Sequence, residues 1–337
     1  MGHPPKDRPF LYRCIYRQTS TMSQADGTSV KNVAVSNGIP PPALDLPFPE
    51  TPEKITENLK LLNEGTSDPR NHFIFKKLVE HLHDFIRETN ITTEEWMNTI
   101  NFLTRVGQTC TPVRQEFILL SDTLGVSALV DNLNNPRIGN ATESSVLGPF
   151  FVEDAPEVEH GHSIASEGKG EYMFVEGRVL DMDGNPIAGA IIDTWEADDH
   201  GFYDTQYTDE GMDCRGRLKS DTNGRYAYRA VVPYAYPIPG DGPVGELLVT
   251  LGRHNMRPAH LHLIVQAPGY RKLVTALYPE GDEYLKSDCV FGAKESLTVS
   301  LKTITDEAET RKRGFPKGDT FKLLTFDIVL AKEGVKS

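Results

Sequence analysis

Cysteine is scarce in this chain. There are four in 337 residues (Cys14, Cys110, Cys214 and Cys289), and no two form a CxxC pair. That spacing excludes a zinc ribbon and a disulfide framework, and it suits a reducing, cytoplasmic setting. Positive charge is also short. Lys and Arg number 35 against 48 Asp and Glu, giving a formal net charge of -13 and a pI near 5.3. Such a chain has no overall attraction for nucleic acid phosphates or anionic lipid. No apolar run approaches the roughly 20 residues of a membrane span. The rest is an ordinary soluble composition, 38% hydrophobic and 25% charged, with enough chain for a sizeable core in one or two domains.

Residues 1–45, rich in Pro, Ser, Gly, Asn and Thr, read as a flexible N-terminal arm. Arg13, Arg17 and the hydroxyl residues around 19–23 faintly resemble a transit peptide, but an unstructured tail is the simpler reading. Residues 46–145 read as helical. Thr51-Pro52-Glu53 has the form of a helix start, and Phe75, Leu78, Val79, Leu82, Phe85 and Ile86 make an amphipathic stripe. Thr92 and Glu95 have capping-box spacing ahead of Trp96, Ile100, Leu103 and Val106. A further helix is expected from Val113 to Leu133. Near Asn134-Asn135-Pro136 the character changes. Strands are expected over Met173–Leu180, Ala190–Trp195, Tyr226–Val232, Leu261–Ala267 and Leu323–Leu330, punctuated by Gly and Pro. The expected fold class is α+β, a helical N-terminal region followed by a β-sandwich over 146–337.

Arg257-Pro258-Ala259-His260-Leu261-His262-Leu263-Ile264-Val265 places two histidines two residues apart at the head of a β-branched run. Alternate side chains on a strand share a face, so His260 and His262 project together, as half of a metal site would. Two structural, hydrogen-bonded histidines are an equal reading. His160-Gly161-His162 repeats the spacing in an acidic loop and reads as solvent-exposed. Upstream tyrosines could complete a site, Tyr203 and Tyr236 among them. On residue type alone, Tyr207, Tyr226, Tyr228 and Tyr234 serve equally.

Several blocks resemble the intradiol ring-cleavage dioxygenases in order and spacing. They are Leu147-Gly148-Pro149-Phe150, Asp193-Thr194-Trp195-Glu196, Gly201-Phe202-Tyr203-Asp204, Gly224-Arg225-Tyr226, Leu251-Gly252-Arg253-His254, Arg257–His262 and Ala267-Pro268-Gly269-Tyr270-Arg271. With the helical region before them, the likeness covers about residues 50–330. The loop Tyr236-Pro237-Ile238-Pro239, the segment Asp241–Leu248 and the run Ser287–Gly292 resemble the hydroxyquinol-cleaving branch. Ala276 stands where many catechol-cleaving members have glutamine.

The resemblance implies one ferric ion per subunit, held by Tyr203, Tyr236, His260 and His262. It implies that Tyr236 also handles a proton and that Arg257 lies beside the substrate ring. Substrate would be walled by Leu119, Asp122, Val146, Leu147, Gly148, Pro149, Phe150, Ile238, Pro239 and Val290. Asp122 would accept a hydrogen bond from a third ring hydroxyl. The implied reaction uses dioxygen to open hydroxyquinol (benzene-1,2,4-triol) between its adjacent hydroxyl-bearing carbons, giving maleylacetate or 3-hydroxy-cis,cis-muconate in aromatic catabolism. Catechol or a chlorocatechol is the alternative substrate, giving cis,cis-muconates. A non-catalytic β-sandwich binding protein is the alternative of another class. Members of the family also pair as homodimers through the helical region, often with phospholipid at the interface.

Overall fold

The computed structural model describes residues 36–41, 43–111, 114–208, 211–316 and 320–335. Most of the expected arm, with Cys14, Arg13 and Arg17, lies outside the described residues.

Thr51 starts α1 (Pro52–Asn63): its Oγ1 accepts the Lys54 N–H at 3.3 Å, and Pro52 occupies the first helical position, where no N–H is needed. α2 (Pro69–Thr89) is capped by Asp68, which accepts the Asn71 N–H at 2.8 Å. It ends at Asn90, in the left-handed region with φ 49°. The expected capping box opens α3 (Thr93–Thr109): Glu95 N–H reaches Thr92 Oγ1 at 3.2 Å, and Thr92 N–H reaches Glu95 Oε2 at 2.8 Å.

Two compact units divide between Thr99 and Ile100, inside α3, whereas the sequence sets a helical region apart up to residue 145. The later helices α4 (Glu116–Thr123) and α5 (Val126–Asn134) therefore belong with the sheets. The cause is burial: Val106 and Leu120 pack on Val244, far along the chain. The single helix expected up to Leu133 is broken. Gly125 takes φ 74°, where a Cβ would also press on the Phe291 ring at 3.3 Å. Val113 lies outside the described residues.

The strands begin with β1 (Tyr172–Asp181), β2 (Ile191–Glu196), β3 (Arg215–Lys219), β4 (Arg225–Val231), β5 (Tyr236–Pro237) and β6 (Met256–Arg257). They continue with β7 (Leu261–Gln266), β8 (Leu273–Pro279), β9 (Thr298–Val299), β10 (Lys302–Ile304), β11 (Phe321–Thr325) and β12 (Ile328–Leu330). One sheet runs β3-β2-β7-β8-β9. The other is built on β1, with β4 antiparallel to it and β11 and β12 parallel. Val175, Val179, Tyr226 and Tyr228 of this sheet share a core with Ile192, Leu261, Leu263 and Val265 of the first. This is sandwich packing. Strand alternation then turns His262 and Ile264 to the opposite face, toward Trp195, Tyr203 and Tyr236.

The strand expected over Leu323–Leu330 is interrupted at Phe326-Asp327, in unchanged register: Met173 faces Lys322, and Val179 faces Ile328. A Cβ at Gly177 would overlap the Phe326 carbonyl oxygen, which the Tyr226 hydroxyl binds at 2.7 Å. Two helices also interrupt the region expected to be all strands and turns, α6 (Pro243–Thr250) and α7 (Glu307–Lys312). Pro243 begins α6, and the buried Glu116 accepts the Val244 N–H at 3.2 Å.

Candidate metal centre

His260 precedes β7 and His262 lies within it, opposite Trp195 on β2 and Ala276 on β8. Their Nε2 atoms are 3.0 Å apart. Tyr203 arrives from the turn after β2. That turn is shaped by Asp198, whose Oδ1 accepts the N–H groups of His200 and Phe202 at 3.0 and 3.1 Å. Tyr236 opens β5, directly opposite Arg257 on β6. The Tyr203 hydroxyl lies 3.3 Å from His260 Nε2 and 3.5 Å from the Tyr236 hydroxyl, which is itself 3.5 Å from His260 Nε2. None of the four side chains belongs to a residue more than 5% exposed.

The protonation pattern follows from the neighbours. Arg257 Nη1, a donor only, sits 3.0 Å from His260 Nε2. That nitrogen therefore carries a lone pair, and Nδ1–H donates to the Pro258 carbonyl at 2.7 Å. Burial, then the Arg257 charge, holds His260 well below the usual histidine range. Burial, then His260, does the same for His262. Burial pushes the Tyr203 hydroxyl well up, and neighbouring Tyr236 adds to it. His262 Nδ1 is buried with no hydrogen-bond partner among the described residues. The two imidazoles and the Tyr203 hydroxyl thus face one another uncharged, in a site where a cation would favour the phenolates. Edges of 3.0–3.5 Å are close to the ~3.3 Å between tetrahedral donors about 2.0 Å from one ion. Two imidazoles with two phenolic oxygens fit a transition metal ion.

Aromatic rings brace the cluster. Phe150 stacks on Tyr203 (centroids 4.3 Å apart, 19° between planes) and Trp195 on His262 (4.6 Å, 6°). Arg215 makes a buried bidentate pair with Asp204 and donates from Nη1 to the Phe150 carbonyl at 3.0 Å. Beside the cluster a cavity of about 1410 Å³ is lined by Tyr236, Arg257 and all ten residues expected to wall substrate: Leu119, Asp122, Val146, Leu147, Gly148, Pro149, Phe150, Ile238, Pro239 and Val290. Asp122 is half-buried, and burial raises its carboxyl above the ordinary value, while Ser127 and Arg257 oppose the rise.

Other sequence candidates fall elsewhere. His160 and His162 are exposed, and His160 Nε2 meets the Lys219 carbonyl at 2.6 Å. Tyr226 binds Phe326, and Tyr228 binds Thr194 at 2.9 Å, both in the inter-sheet core. Tyr207 donates to Asp198 at 2.6 Å, and Tyr234 is exposed. Asp198, Asp199 and His200 also cluster, but the Asp198 oxygens are taken by its own turn and by Tyr207. Sequence reasoning missed Asp288, the carboxylate against Arg257 at 3.3 Å, and the bracing roles of Trp195 and Arg215. A carboxylate beside Cys289 in the run Ser287–Gly292 was the available signal for Asp288.

Residues 146–332 match the family model described as dioxygenase, and residues 68–142 the one described as catechol dioxygenase N terminus. The chain is 47% identical to hydroxyquinol 1,2-dioxygenase of Rhizobium sp. (strain MTP-10005), across 83% of this chain and 95% of that protein. It is 52% identical to 6-chlorohydroxyquinol 1,2-dioxygenase of Cupriavidus pinatubonensis, across 69% and 84%. Among solved structures, hydroxyquinol 1,2-dioxygenase from Pseudomonas putida DLL-E4 is similar, with TM-score 0.78 and 45% identity over 84% of this chain and 99% of that one. Catechol 1,2-dioxygenase of Acinetobacter radioresistens gives 0.72 at 32% identity, over 84% and 94%.

Proposed function

The chain belongs to the intradiol ring-cleavage dioxygenases, and from that premise we propose that its substrate is hydroxyquinol. Ring opening between the two adjacent hydroxyl-bearing carbons, with both atoms of dioxygen entering the new carboxyl groups, gives 3-hydroxy-cis,cis-muconate or its keto form, maleylacetate. The observation that carries the substrate choice is Asp122, a half-buried carboxylate in the cavity wall close enough to Arg257 to feel its charge. A third ring hydroxyl can donate to it. Catechol lacks that hydroxyl and would leave the carboxylate short of a partner.

Tyr203, Tyr236, His260 and His262 would hold one iron(III) ion. Bound there, ferric iron would supply Lewis-acid chemistry, favouring the deprotonated diol and drawing electron density from its ring. The protein does the rest. Tyr236 OH, 3.3 Å from Arg257 Nη1, is placed to take up a substrate hydroxyl proton as its phenolate. Arg257, buried and charged, faces the site where negative charge would grow on the ring. Phe150 and Ile238 exclude water from the ring faces. Ala276 lies fully buried opposite His262.

Two further readings rest on the surface and the cysteines. Leu78, Leu82 and Phe85 of α2 are 52%, 49% and 52% exposed, an apolar stripe suited to a homodimer contact and to phospholipid chains beside it. Cys110, Cys214 and Cys289 are free, which supports a cytoplasmic setting. Among the described residues no helix is long and apolar enough to cross a membrane.

Oxygen uptake by the iron-loaded protein with hydroxyquinol, catechol and chlorocatechols, measured side by side, tests the reading. Fastest turnover of hydroxyquinol is expected. Equal or better turnover of catechol overturns the substrate choice, and a colourless iron-loaded protein overturns the ligand set.

A further inference from the structure

We propose that Asp288 is a positioning residue for ring cleavage, one buried carboxylate that sets both the guanidinium of Arg257 and the turn that carries Val290 into the cavity wall. The inference rests on the reading that this cavity takes an aromatic diol or triol.

Asp288 Oδ1 lies 3.3 Å from Arg257 Nε, and Oδ2 lies 3.4 Å from Nη2. One edge of the guanidinium fork is therefore occupied. Nη1 is left to face His260 Nε2 at 3.0 Å and the Tyr236 hydroxyl at 3.3 Å. Rotation of the fork would lose both contacts on the carboxylate edge. The same two oxygens accept three backbone N–H groups of the following turn: Val290 at 3.2 Å, Gly292 at 2.9 Å and Ala293 at 3.2 Å.

That turn needs such an anchor. Phe291 has φ 60°, an uncommon backbone state for a residue with a side chain. Gly292 packs directly on the arginine: a Cβ there would come within 2.9 Å of both Arg257 Nη2 and Val146 Cγ2. Asp288 and Arg257 are 5% and 3% exposed, so water does not substitute for either partner. An exposed ion pair would be a weak anchor, but removing one member of a buried pair leaves the other uncompensated. The charge beside the donor cluster and the shape of the cavity wall thus share one support.

The test is a double-mutant cycle on the iron-loaded protein, with Asp288→Asn, Arg257→Gln and both together. Asn keeps the size of the side chain and one oxygen for the turn, but turns a neutral amide toward Arg257. Four quantities are compared: kcat and KM on hydroxyquinol, the visible tyrosinate absorption, and the thermal midpoint of the metal-free protein. Asp288→Asn should lower kcat at least tenfold, more than it changes KM, and should shift the visible band. It should cost less than twofold further in the Arg257→Gln background, because its effect runs through that arginine. Asp288→Glu, which keeps the charge, should recover part of kcat, and it replaces Asp288→Asn if the metal-free midpoint shows that Asn does not fold. Losses that multiply in the double variant, or an unchanged kcat and band in Asp288→Asn, overturn the proposal. A wild-type protein that takes up no oxygen with hydroxyquinol overturns the functional reading instead.

Discussion

The Nε2 atoms of His260 and His262 face each other at 3.0 Å, with the hydroxyl of Tyr203 3.3 Å from the first. Burial holds both imidazoles neutral. Arg257 Nη1 already occupies one approach to His260 Nε2 as a donor. Tyrosine O–H and imidazole N–H groups can share these contacts as hydrogen bonds, but only a cation would engage a lone pair from all four side chains at once. The folded chain therefore holds donors in place whose favourable partner is a metal ion, and the stacked rings of Phe150 and Trp195 keep them from spreading.

Metal removal should consequently be felt in stability as well as in colour. A ligand that binds only the folded state at about a thousand times its Kd adds about 4 kcal/mol. Chelation of the iron-loaded protein should abolish the visible band and lower the thermal midpoint by several degrees, with recovery of both on adding ferric iron. His262→Ala should show the low midpoint from the start and respond little to chelator. An iron-loaded wild-type midpoint that chelator does not move would remove these four side chains as the principal metal site.

Asp122 gives a pH prediction with a definite sign. Its carboxyl is raised, chiefly by burial, so the folded state holds the proton more tightly than the unfolded chain does. The stability tied to this group is fully present below the ordinary carboxylate pKa of about 3.9 and is lost as pH rises through the folded value. Asn suffers no such loss. Asp122→Asn should melt above the wild type near neutral pH, by on the order of 1–3 °C, with the gap closing toward about pH 4. Its preference for hydroxyquinol over catechol in kcat/KM should fall about tenfold. A preference that stays the same would show that Asp122 does not read the third hydroxyl.

Much of the architecture was legible in local chemistry. The Thr51 cap, the Thr92–Glu95 box and the alternation around His260 and His262 are patterns of neighbouring residues, and the structure realises them. What was not legible depended on distant partners. Six tyrosines were equivalent until loops ending after β2 and before β6 brought Tyr203 and Tyr236 over β7 and sent Tyr226 and Tyr228 into the other sheet. The break between β11 and β12 depends on Gly177, far upstream. The chain length of α4 and α5 suggested one helix because Gly125 alone, not a proline, interrupts it. Family resemblance supplied the pocket residues. Periodicity did not, since a wall assembled from five separate segments has no period.

Gly177 should be nearly irreplaceable. A Cβ there would overlap the Phe326 carbonyl oxygen, in the middle of β1, where the strand cannot yield without disturbing β4 and β12. Gly177→Ala should destabilise the fold by about 3 kcal/mol or more, placing it in the tail of point mutants. Urea unfolding with unchanged slope and an early midpoint is the expected result. A loss under about 1 kcal/mol would mean that the β11–β12 break relaxes easily.

Arg215 joins the ligand side of the site to its wall. Its guanidinium pairs with Asp204, the residue after Tyr203, and also donates to the carbonyl of Phe150, whose ring stacks on Tyr203 and lines the cavity. Lysine can keep the charge but cannot span both acceptors with a planar fork. Arg215→Lys should therefore leave the chain folded, at a cost of about 2 kcal/mol, less than the 3–5 kcal/mol expected when a buried charge loses its partner outright. With Phe150 freed, KM for hydroxyquinol should rise about tenfold while kcat falls less, because the reacting centre keeps its ligands. The visible band should broaden as Tyr203 gains freedom. Trp195→Phe, which retains stacking on His262 and leaves this connection intact, should change KM far less. Equal KM changes in the two variants would mean that Arg215 supports the fold in general and has no particular hold on the cavity wall.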